Sequence, residues 1–515
     1  MIRRLPLWSC LLIVLGIAIS QVMIAQKQVS AKDQGWYVSA GAVRRVTLKP
    51  TTKYWRFQHL SLNPDVARQQ ILKWKSEGIT ALEIFAPEDG GDSYDGLDAK
   101  NRYRLDPGLG SMADFRRLVA LAHSLGVRVT VFENLGYSAV DGVQFEKAED
   151  AVRKGEVNRY TKMFFWSQSA NAPKPAASNS NFFCRPKLPG YNPTKSEFWQ
   201  WSPRAKAYYW TRWPGKDASG NTLHLPQYNW SGSVWPEESS KVVHFWMNTG
   251  IDGMVLDAVN WYVGADWQKI DHSITDVIAS YGNEFSQPEG GGGFGEDPGG
   301  WVTEGNFTNI YDYGLGIWWK KTDRPLVTSV EQSDPAILEK ALRSYHDRVV
   351  AAGGTLYFPV PQLDAPGDQR FAEALIATSG DLPCYCDPVG KVTVPAEGIS
   401  QLLKLKPENP ALYQNSLRRR IPTNDDAHIY AIERYAADNS ERLLLVFNFS
   451  DVPVHATIDL GAIHGNEFID LFTRQRTQTV GEKLTTSLKG HGYVIFKIEG
   501  YGRRKVTMES GIRND

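Results

Sequence analysis

The sequence predicts an α/β protein: a (β/α)8 TIM barrel with a long insertion after strand 3 and a C-terminal antiparallel β domain. First, eight short apolar runs between residues 54 and 388 alternate with helical patterns, which is typical of a parallel sheet. Second, residues 136–236, rich in Asn, Pro, Ser and aromatic residues, interrupt that alternation after the third run. Third, short alternating strands with turn residues between them replace the pattern from residue 416, which predicts an antiparallel domain.

The first three predicted strands each belong to a strand–helix unit. They are YWRFQHLSL at 54–62, ITALEIFAP at 79–87 and VRVTVFENL at 127–135. The segment DFRRLVALAHSLG before the third strand has apolar residues at helical spacing and a closing Gly, which indicates a helix.

The other five predicted strands complete the barrel. They are GMVLDAV at 253–259, GGWVTEG at 299–305, RPLVTSV at 324–330, GTLYFPV at 354–360 and LPCYCDP at 382–388. Eight such units favour a closed barrel. A doubly wound sheet is the alternative, but no G-x-G-x-x-G follows the first predicted strand.

The domain boundaries follow from these changes in pattern. EGGGGFGEDPGG at 289–300 is interpreted as a flexible loop, since no Lys-Ser/Thr follows it as in a phosphate-binding loop. The predicted segments are a signal peptide or signal anchor (1–31), the first part of the barrel (32–135), a domain B-like insertion (136–236), the rest of the barrel (237–415), the C-terminal β domain (416–500) and a loose tail (501–515).

The N-terminal segment predicts export. Arg3 and Arg4 precede an apolar run over residues 5–25, and a charged stretch followed by an apolar stretch is typical of a signal peptide. We expect cleavage near Ala25 or Ala31 and a secreted or periplasmic protein. About 20 apolar residues can also span a bilayer, so a retained membrane anchor is the alternative.

Composition narrows the class of partner. The formal net charge is zero and no long basic run occurs, so nothing favours a nucleic-acid partner. The four Cys and ten His show no metal-ligand spacing, so we expect no metal and no cofactor. Aromatic residues lie in polar contexts such as EFWQWSP, which favours an oligosaccharide partner, although ordinary packing is the alternative.

Three acidic residues are candidates for catalysis. A carboxylate inside the apolar run MVLDAV is costly unless it is paired or lies at the open end of its strand. In a TIM barrel the carboxyl ends of the strands carry the functional residues. Asp257 ends the fourth predicted strand, Glu304 ends the fifth and Asp364 follows the seventh. Carboxylates converging on one mouth suit glycoside hydrolysis; each one alone could instead be a loop residue or an ion-pair partner.

Several motifs resemble one enzyme family in their order and spacing. They are GITALEIFAP, SYDGLDAKNRYRLDPGLG, LPQYNW, GIDGMVLDAV, ALIATSGDLPCYCDPVG and LLKLKPENPAL. Over residues 50–500 the chain resembles the α-amylase superfamily, glycoside hydrolase family 13, and within it the oligo-1,6-glucosidase and trehalose synthase-like branch. The resemblance implies retaining cleavage of α-glycosidic bonds.

The resemblance also implies roles for single residues. Asp257 corresponds to the nucleophile, Glu304 to the general acid/base and Asp364 to the residue that stabilises the transition state. Tyr94 corresponds to the ring that stacks on the sugar in subsite −1, supported by Asp95. Further substrate contacts are expected from Tyr137, Asn260, Trp261, Gln362 and Arg370.

The chain departs from the family pattern within subsite −1. An Arg expected two residues before the nucleophile is Val255, and an Asp expected in the third strand is Phe132. Without that Arg, we expect Asp257 to be harder to ionise. Loss of both members replaces an ion pair by packing, which can be neutral. The Asn-His pairs expected after strand 3 and before the third acid are replaced by Gly136-Tyr137 and Gln362-Leu363.

The sequence therefore predicts a secreted retaining glycoside hydrolase or transglycosylase that acts on an α-glycosidic bond of an oligosaccharide, with altered sugar specificity at subsite −1. The alternative is a catalytically inactive amylase-like domain that serves as a carbohydrate-binding or membrane-partner protein. The segment SLNPDVARQQ holds one Asp, so we expect no calcium there.

Overall fold

The computed structural model describes residues 35–500, apart from 53–54, 92, 174, 176–197, 212–214, 217–221, 224, 260–261, 263–266, 283, 290–297, 317–323, 387–393, 462 and 464–466. The elements below all belong to one compact unit, Trp36–Asp515. The predicted signal or anchor segment (1–31) and the tail (501–515) lie outside the described residues. None of the helices in the described part of the chain combines the length and the apolar character needed to cross a bilayer.

Eight parallel strands form a barrel with the sheet order β5-β4-β3-β2-β1-β8-β7-β6. Its two ends meet through side chains, because the Ser286 N–H donates to Thr308 Oγ1 (2.9 Å) and the Thr308 N–H donates to Ser286 Oγ (3.1 Å). The predicted fold class is thereby confirmed. The strands are β1 Ala42–Thr47, β2 Ile79–Phe85, β3 Arg128–Glu133, β4 Gly253–Leu256, β5 Phe285–Pro288, β6 Asn309–Tyr311, β7 Thr355–Pro359 and β8 Asp381–Tyr385.

Three of the eight predicted strands are wrong. The first barrel strand is Ala42–Thr47, and only Gln58–His59 of the predicted segment pairs with its end. The segments predicted as strands 5 and 6 contain the helices Gly300–Thr303 and Pro325–Glu331. Periodicity cannot separate a short apolar helix from a strand, and Pro325 at the first helical position favours the helix. The true β5 and β6 are only four and three residues long.

Local signals explain where the longer helices begin. Asn63 accepts from the N–H groups of Asp65 and Val66 ahead of Pro64, and Ser111 forms a capping box with Asp114. The helices of at least seven residues are Pro64–Ser76, Met112–Ser124, Val143–Arg153, Val234–Met247, Pro325–Glu331, Pro335–Ala341, Pro366–Ser379 and Ile399–Leu405. The shorter ones are Trp36–Ser39, Ser93–Gly96, Arg159–Lys162, Trp267–Ile270, Asp271–Thr275, Asp276–Ala279, Gly300–Thr303, Leu342–His346, Asp347–Ala351, Lys406–Glu408 and Pro410–Leu412.

Two apolar regions build the barrel. One lies between the sheet and the surrounding helices and includes Ile84, Phe115 and Trp246. The other lines the barrel interior, here called the lumen, because alternate residues of each strand point inward. Its members include Val43, Phe85, Phe132, Val255, Phe285, Tyr311, Tyr357 and Cys384.

The insertion after β3 contains helices and short strands of its own. The strands Trp166–Ser167, Ala207–Trp210 and Trp199–Ser202 form one sheet, and Gly215–Lys216 pairs with Thr222–Leu223. The Tyr228 N–H donates to the Gly136 carbonyl (2.9 Å), which ties the end of the insertion back to the loop after β3. A separate hairpin, Glu88–Gly90 with Ala99–Leu105, follows β2.

The C-terminal domain is antiparallel, as predicted. Its strands are β9 Leu417–Ile421, β10 Ile429–Tyr435, β11 Arg442–Asn448, β12 Val454–Asp459, β13 Glu467–Asp470, β14 Arg476–Thr477, β15 Lys483–Leu488 and β16 Tyr493–Glu499. One sheet has the order β9-β10-β11-β16-β13-β14, and β12 pairs with β15.

Candidate active site

Asp257 lies directly after β4, at the carboxyl end of the barrel. The strand GMVL before it is fully buried, whereas Asp257 itself is partly exposed. Its N–H donates to the carbonyl of Glu133 at the end of β3 (2.8 Å). The next residue, Ala258, has a φ of 48°, a left-handed conformation that residues other than Gly rarely adopt. The chain therefore turns sharply here and leaves the carboxylate at the mouth.

Glu289 lies directly after β5, beside Asp257. Its N–H donates to the Leu256 carbonyl (2.7 Å), and its own carbonyl accepts from the Val259 N–H (3.2 Å). The two side-chain carboxyl groups lie close enough to interact directly. Burial, and then the neighbouring Asp257, raises the pKa of Glu289 well above its usual range. A carboxyl group whose pKa is raised this far keeps its proton near pH 7, so Glu289 is protonated.

Asn134 holds the carboxylate of Asp257 in place. Its Oδ1 accepts from the N–H groups of Gly136 (2.7 Å) and Tyr137 (3.2 Å). That requirement fixes the orientation of the amide, because only its oxygen can accept. The Nδ2 group therefore faces Asp257 and donates to its Oδ2. Asn134 is buried, so this contact is protected from water.

Three tyrosines lie near the carboxyl pair: Tyr137 and Tyr262 are buried, and Tyr313 is half-buried. Burial is the main cause that raises the pKa values of Tyr137 and Tyr262 well above the usual range, and the charge of Asp257 adds to both. Tyr313 follows β6, and burial, then the charge of Glu289, raise its pKa well above the usual range. All three phenols are therefore neutral near pH 7 and can donate hydrogen bonds to a sugar.

The predicted Tyr94–Asp95 loop lies at the same mouth. Both residues have positive φ, 48° and 58°, and Asp95 Oδ2 accepts from the Trp55 N–H (2.7 Å). Tyr94 packs against the lumen cluster and interacts with Tyr137. Nearby Asp98 is buried, and that burial raises its pKa to about 7. The structure thus brings Tyr94 and Tyr137 to the neighbourhood of Asp257.

Glu304 is not at the mouth. It is exposed and ends the helix Gly300–Thr303. Val302 of that helix packs so closely on Gly354 that a Cβ there would clash, and Gly354 directly precedes the start of β7. The helix therefore lies at the amino-terminal end of the barrel, opposite the mouth. The acid/base role of Glu304 depended on a predicted strand that the structure replaces with a helix. Glu289 occupies the place expected for that acid.

Asp364 lies in the loop between β7 and the helix Pro366–Ser379 and is exposed. Among the described residues, Asp364 forms no hydrogen bond or ion pair with Asp257 or Glu289. Its role as a third carboxylate stays a prediction.

The structure describes two of the four remaining predicted contacts, Gln362 and Arg370. Gln362 is exposed, with its carbonyl near the Arg324 guanidinium (3.5 Å). Arg370 is exposed, and its charge interacts with the Tyr493 hydroxyl of the C-terminal domain. The structure therefore does not place Arg370 at the carboxyl pair. Asn260 and Trp261 lie outside the described residues.

Sequence reasoning missed Glu289 and Asn134. Glu289 follows FSQP, a four-residue strand that ends in Pro and merges with a Gly-rich loop, so its pattern does not indicate a strand. Asn134 had a usable signal, because Asn followed two residues later by Gly, as in FENLGY, is typical of an Asx turn.

Two family models match the chain. Residues 84–289 match the model described as "Alpha amylase, catalytic domain", and residues 420–495 match the "Maltogenic Amylase, C-terminal domain". The first match spans β2 to Glu289, and the second covers most of the C-terminal sheet.

Curated relatives share part of the chain. Maltase A2 of Drosophila melanogaster is 26% identical over 259 residues, which is 49% of this chain and 36% of that protein. The "Probable alpha-glucosidase" of Rhizobium meliloti is 28% identical over 32% of this chain and 26% of that protein. The trehalose synthase of Thermus thermophilus is 27% identical over 32% of this chain and 14% of that protein. The chain thus spans about a third or less of the length of these relatives.

Solved structures share the fold. The α-amylase from H. orenii has a TM-score of 0.65 at 14% identity and covers 89% of this chain and 99% of its own. The trehalulose synthase MutB from Pseudomonas mesoacidophila MX-45 has a TM-score of 0.61 at 14% identity, over 90% of this chain and 99% of its own.

Proposed function

The chain belongs to the α-amylase superfamily, and from this premise we propose that it is a retaining glycoside hydrolase or transglycosylase acting on an α-glycosidic bond. The observation that carries the proposal is the adjacent pair of Asp257 and Glu289 at the ends of β4 and β5, which backbone hydrogen bonds hold side by side. One deprotonated and one protonated carboxyl group at one mouth are the two groups that this reaction requires.

The geometry suggests a role for each carboxyl group. Glu289 donates its proton to the glycosidic oxygen while the Asp257 carboxylate attacks the anomeric carbon, which forms a covalent glycosyl–enzyme intermediate. Glu289, now ionised, then removes a proton from water or from a sugar hydroxyl, and that oxygen displaces Asp257. Two inversions retain the anomeric configuration. The two carboxyl groups must be far enough apart to admit the glycosidic oxygen.

The finer proposal is an altered subsite −1. Phe132 and Val255 face each other in the register of β3 and β4, and both are buried. They stand where the family resemblance implies an Asp and an Arg. The tyrosine hydroxyls around Asp257 are the polar groups that would contact the sugar instead. We propose that the sugar preference differs from that of the relatives while the reaction type is kept.

The test compares three single substitutions on a panel of α-linked disaccharides and oligosaccharides. We expect Asp257→Asn and Glu289→Gln each to lower kcat by about 100-fold or more, since both remove a group that acts in the transition state. Glu304→Gln is the matched control and should leave kcat unchanged. Mass spectrometry measures turnover, and NMR reports whether the product keeps the α configuration.

Two results would contradict the assignment. Full turnover by Glu289→Gln with loss in Glu304→Gln would restore the sequence-based choice of acid. Inversion at the anomeric carbon would exclude a covalent intermediate on Asp257.

The second candidate is a catalytically inactive amylase-like domain that binds carbohydrate or a membrane partner. The exposed position of Asp364, which among the described residues forms no hydrogen bond or ion pair with the carboxyl pair, favours it. It predicts sugar binding that survives Asp257→Asn, measured by calorimetry, with no turnover by the wild-type protein.

We also propose export through the N-terminal segment. N-terminal sequencing of the mature protein tests this: a start near Gln26 or Lys32 means cleavage, whereas an intact Met1 in a membrane fraction means an anchor.

A further inference from the structure

Strand β1, AVRRVT, carries two adjacent buried arginines that point in opposite directions. Arg44 faces outward and pairs with Glu77 (3.1 Å), with Trp74 beside it. Arg45 faces inward, into the lumen. Their exposed fractions are 1% and 3%, so the two differ in their surroundings and not in their burial.

Arg45 is held by groups from several strands. Its Nε forms an ion pair with Glu83 of β2, and its Nη2 donates to the hydroxyl of Tyr311 on β6 (2.9 Å). Tyr357 of β7 donates to the other oxygen of Glu83 (2.9 Å). The guanidinium carbon lies 4.3 Å from the centroid of the Phe132 ring. A buried ion pair with this many partners has a defined position.

This ion pair lies just beneath the two carboxyl groups. Phe132 is opposite Val255, and Val255 is opposite Gln287. Val255 lies two residues before Asp257, and Gln287 lies two residues before Glu289. Side chains two residues apart point to the same side of a strand. The guanidinium over Phe132 is therefore about one side-chain layer below the site.

The charged and titratable groups that face Glu289 come from four strands of the barrel or the residues that follow them. They are Asp257 after β4, Arg45 of β1, Glu83 of β2, and Tyr311 and Tyr313 of the β6 region. The positive charge of Arg45 favours the ionised form of Glu289, and the negative charge of Glu83 disfavours it. The effect of Arg45 is the larger of the two.

We propose that Arg45 is a positioning residue for the reaction: from beneath Phe132, the Arg45–Glu83 pair supplies the lumen charge that tunes Glu289 as acid and base. The inference rests on the proposed function, because it assigns the acid/base role to Glu289. It also explains how a barrel with Val255 at the β4 position still has a cation beneath its carboxyl groups.

The test is the pH profile of kcat/KM, whose basic limb reports the loss of the proton from the catalytic acid. Arg45→Met removes the cation that favours the ionised form of Glu289, so the limb should move to higher pH. Glu83→Gln leaves the cation unopposed, so the limb should move to lower pH. Opposite shifts from the two partners of one ion pair are not expected from a purely structural role.

Arg44→Met is the matched control. It removes an equally buried arginine from the same strand and should lower the melting temperature without moving the limb. If Arg45→Met does not fold, Arg45→Lys keeps the charge and should retain the wild-type limb, while Glu83→Gln still carries the test. The inference would be overturned if the basic limb moved in neither Arg45→Met nor Glu83→Gln. An equal shift of that limb in Arg44→Met would overturn it as well.

A second readout separates this inference from the proposed function. Carbon-13 NMR of labelled glutamate side chains, with the Glu289 signal assigned by its loss in Glu289→Gln, follows the same titration without any substrate. Opposite shifts in an inactive protein would support the electrostatic coupling and contradict only the proposed function. A Glu289 signal that titrates identically in all variants of an active protein would contradict only the inference.

Discussion

At the scale of single residues, Asp257 and Glu289 are similar side chains in different surroundings. Asp257 receives a hydrogen bond from the Asn134 amide, whereas Glu289 receives the charge of Asp257 as its neighbour. The amide holds the Asp257 carboxylate in place, whereas burial, and then the charge of Asp257, disfavour the ionised form of Glu289. The division of roles between nucleophile and acid follows from these contacts.

Asn134→Ala tests the contribution of orientation. Without the amide, Asp257 can rotate away from the anomeric carbon, and a misplacement of about 1 Å can cost about 100-fold in rate. We therefore expect kcat to fall by about that factor, measured with the best substrate of the panel.

Asn158→Ala is the control, because Asn158 Oδ1 accepts from the N–H groups two and three residues later, as Asn134 Oδ1 does. The control should lose similar stability, about 1 kcal/mol, and keep its kcat. Equal losses of kcat in the two variants would mean that Asn134 acts only on stability.

At the scale of elements, the pairing of β3 with β4 decides what the lumen can hold. Phe132 packs on Phe85 (centroids 5.2 Å apart) and on the Arg45 guanidinium. Val255 beside it is fully buried. An apolar pair here is compatible with a cation on β1, because a second cation on β4 would repel it.

Val255→Arg tests that account. The new charge would be buried beside Arg45 without a partner, and we expect a loss of about 3–5 kcal/mol in the free energy of unfolding. Adding Phe132→Asp supplies a carboxylate opposite residue 255 and should recover part of that loss. Denaturant unfolding of the two single variants and the double variant gives the coupling. A double variant as unstable as the sum of the single variants would refute the pairing argument.

At the scale of the whole molecule, buried cations join the barrel to the C-terminal domain. Lys406 is fully buried and donates to the Asp381 carbonyl at the start of β8. Arg434 of β10 donates to the carbonyls of Ser379 and Tyr413. The pKa of Lys406 is lowered to about 7: burial is the main cause, Asp381 opposes it, and the charge of Arg434 adds to it.

Lys406 should make stability depend on pH. Its folded pKa of about 7 lies below the ordinary 10.5, so above pH 7 the unfolded chain binds a proton that the folded chain does not. The free energy of unfolding contributed by Lys406 therefore rises with pH above 7. Lys406→Met should remove that rise, as measured by urea unfolding from pH 7 to the onset of tyrosine ionisation. Lys404→Met, an exposed position two residues earlier, should keep it. An unchanged slope in Lys406→Met would contradict the assignment.

The sequence by itself determined the fold class, five of the eight barrel strands and the position of Asp257, because these depend on local patterns of apolar residues and turns. It did not determine β1, β5 and β6, since short strands have too few residues to show a period. Only the tertiary structure placed Glu289 against Asp257, moved Glu304 to the opposite end of the barrel and brought Arg45 beneath the pair. Those three relations join residues from different strands, and they depend on strand register and barrel closure rather than on any local pattern.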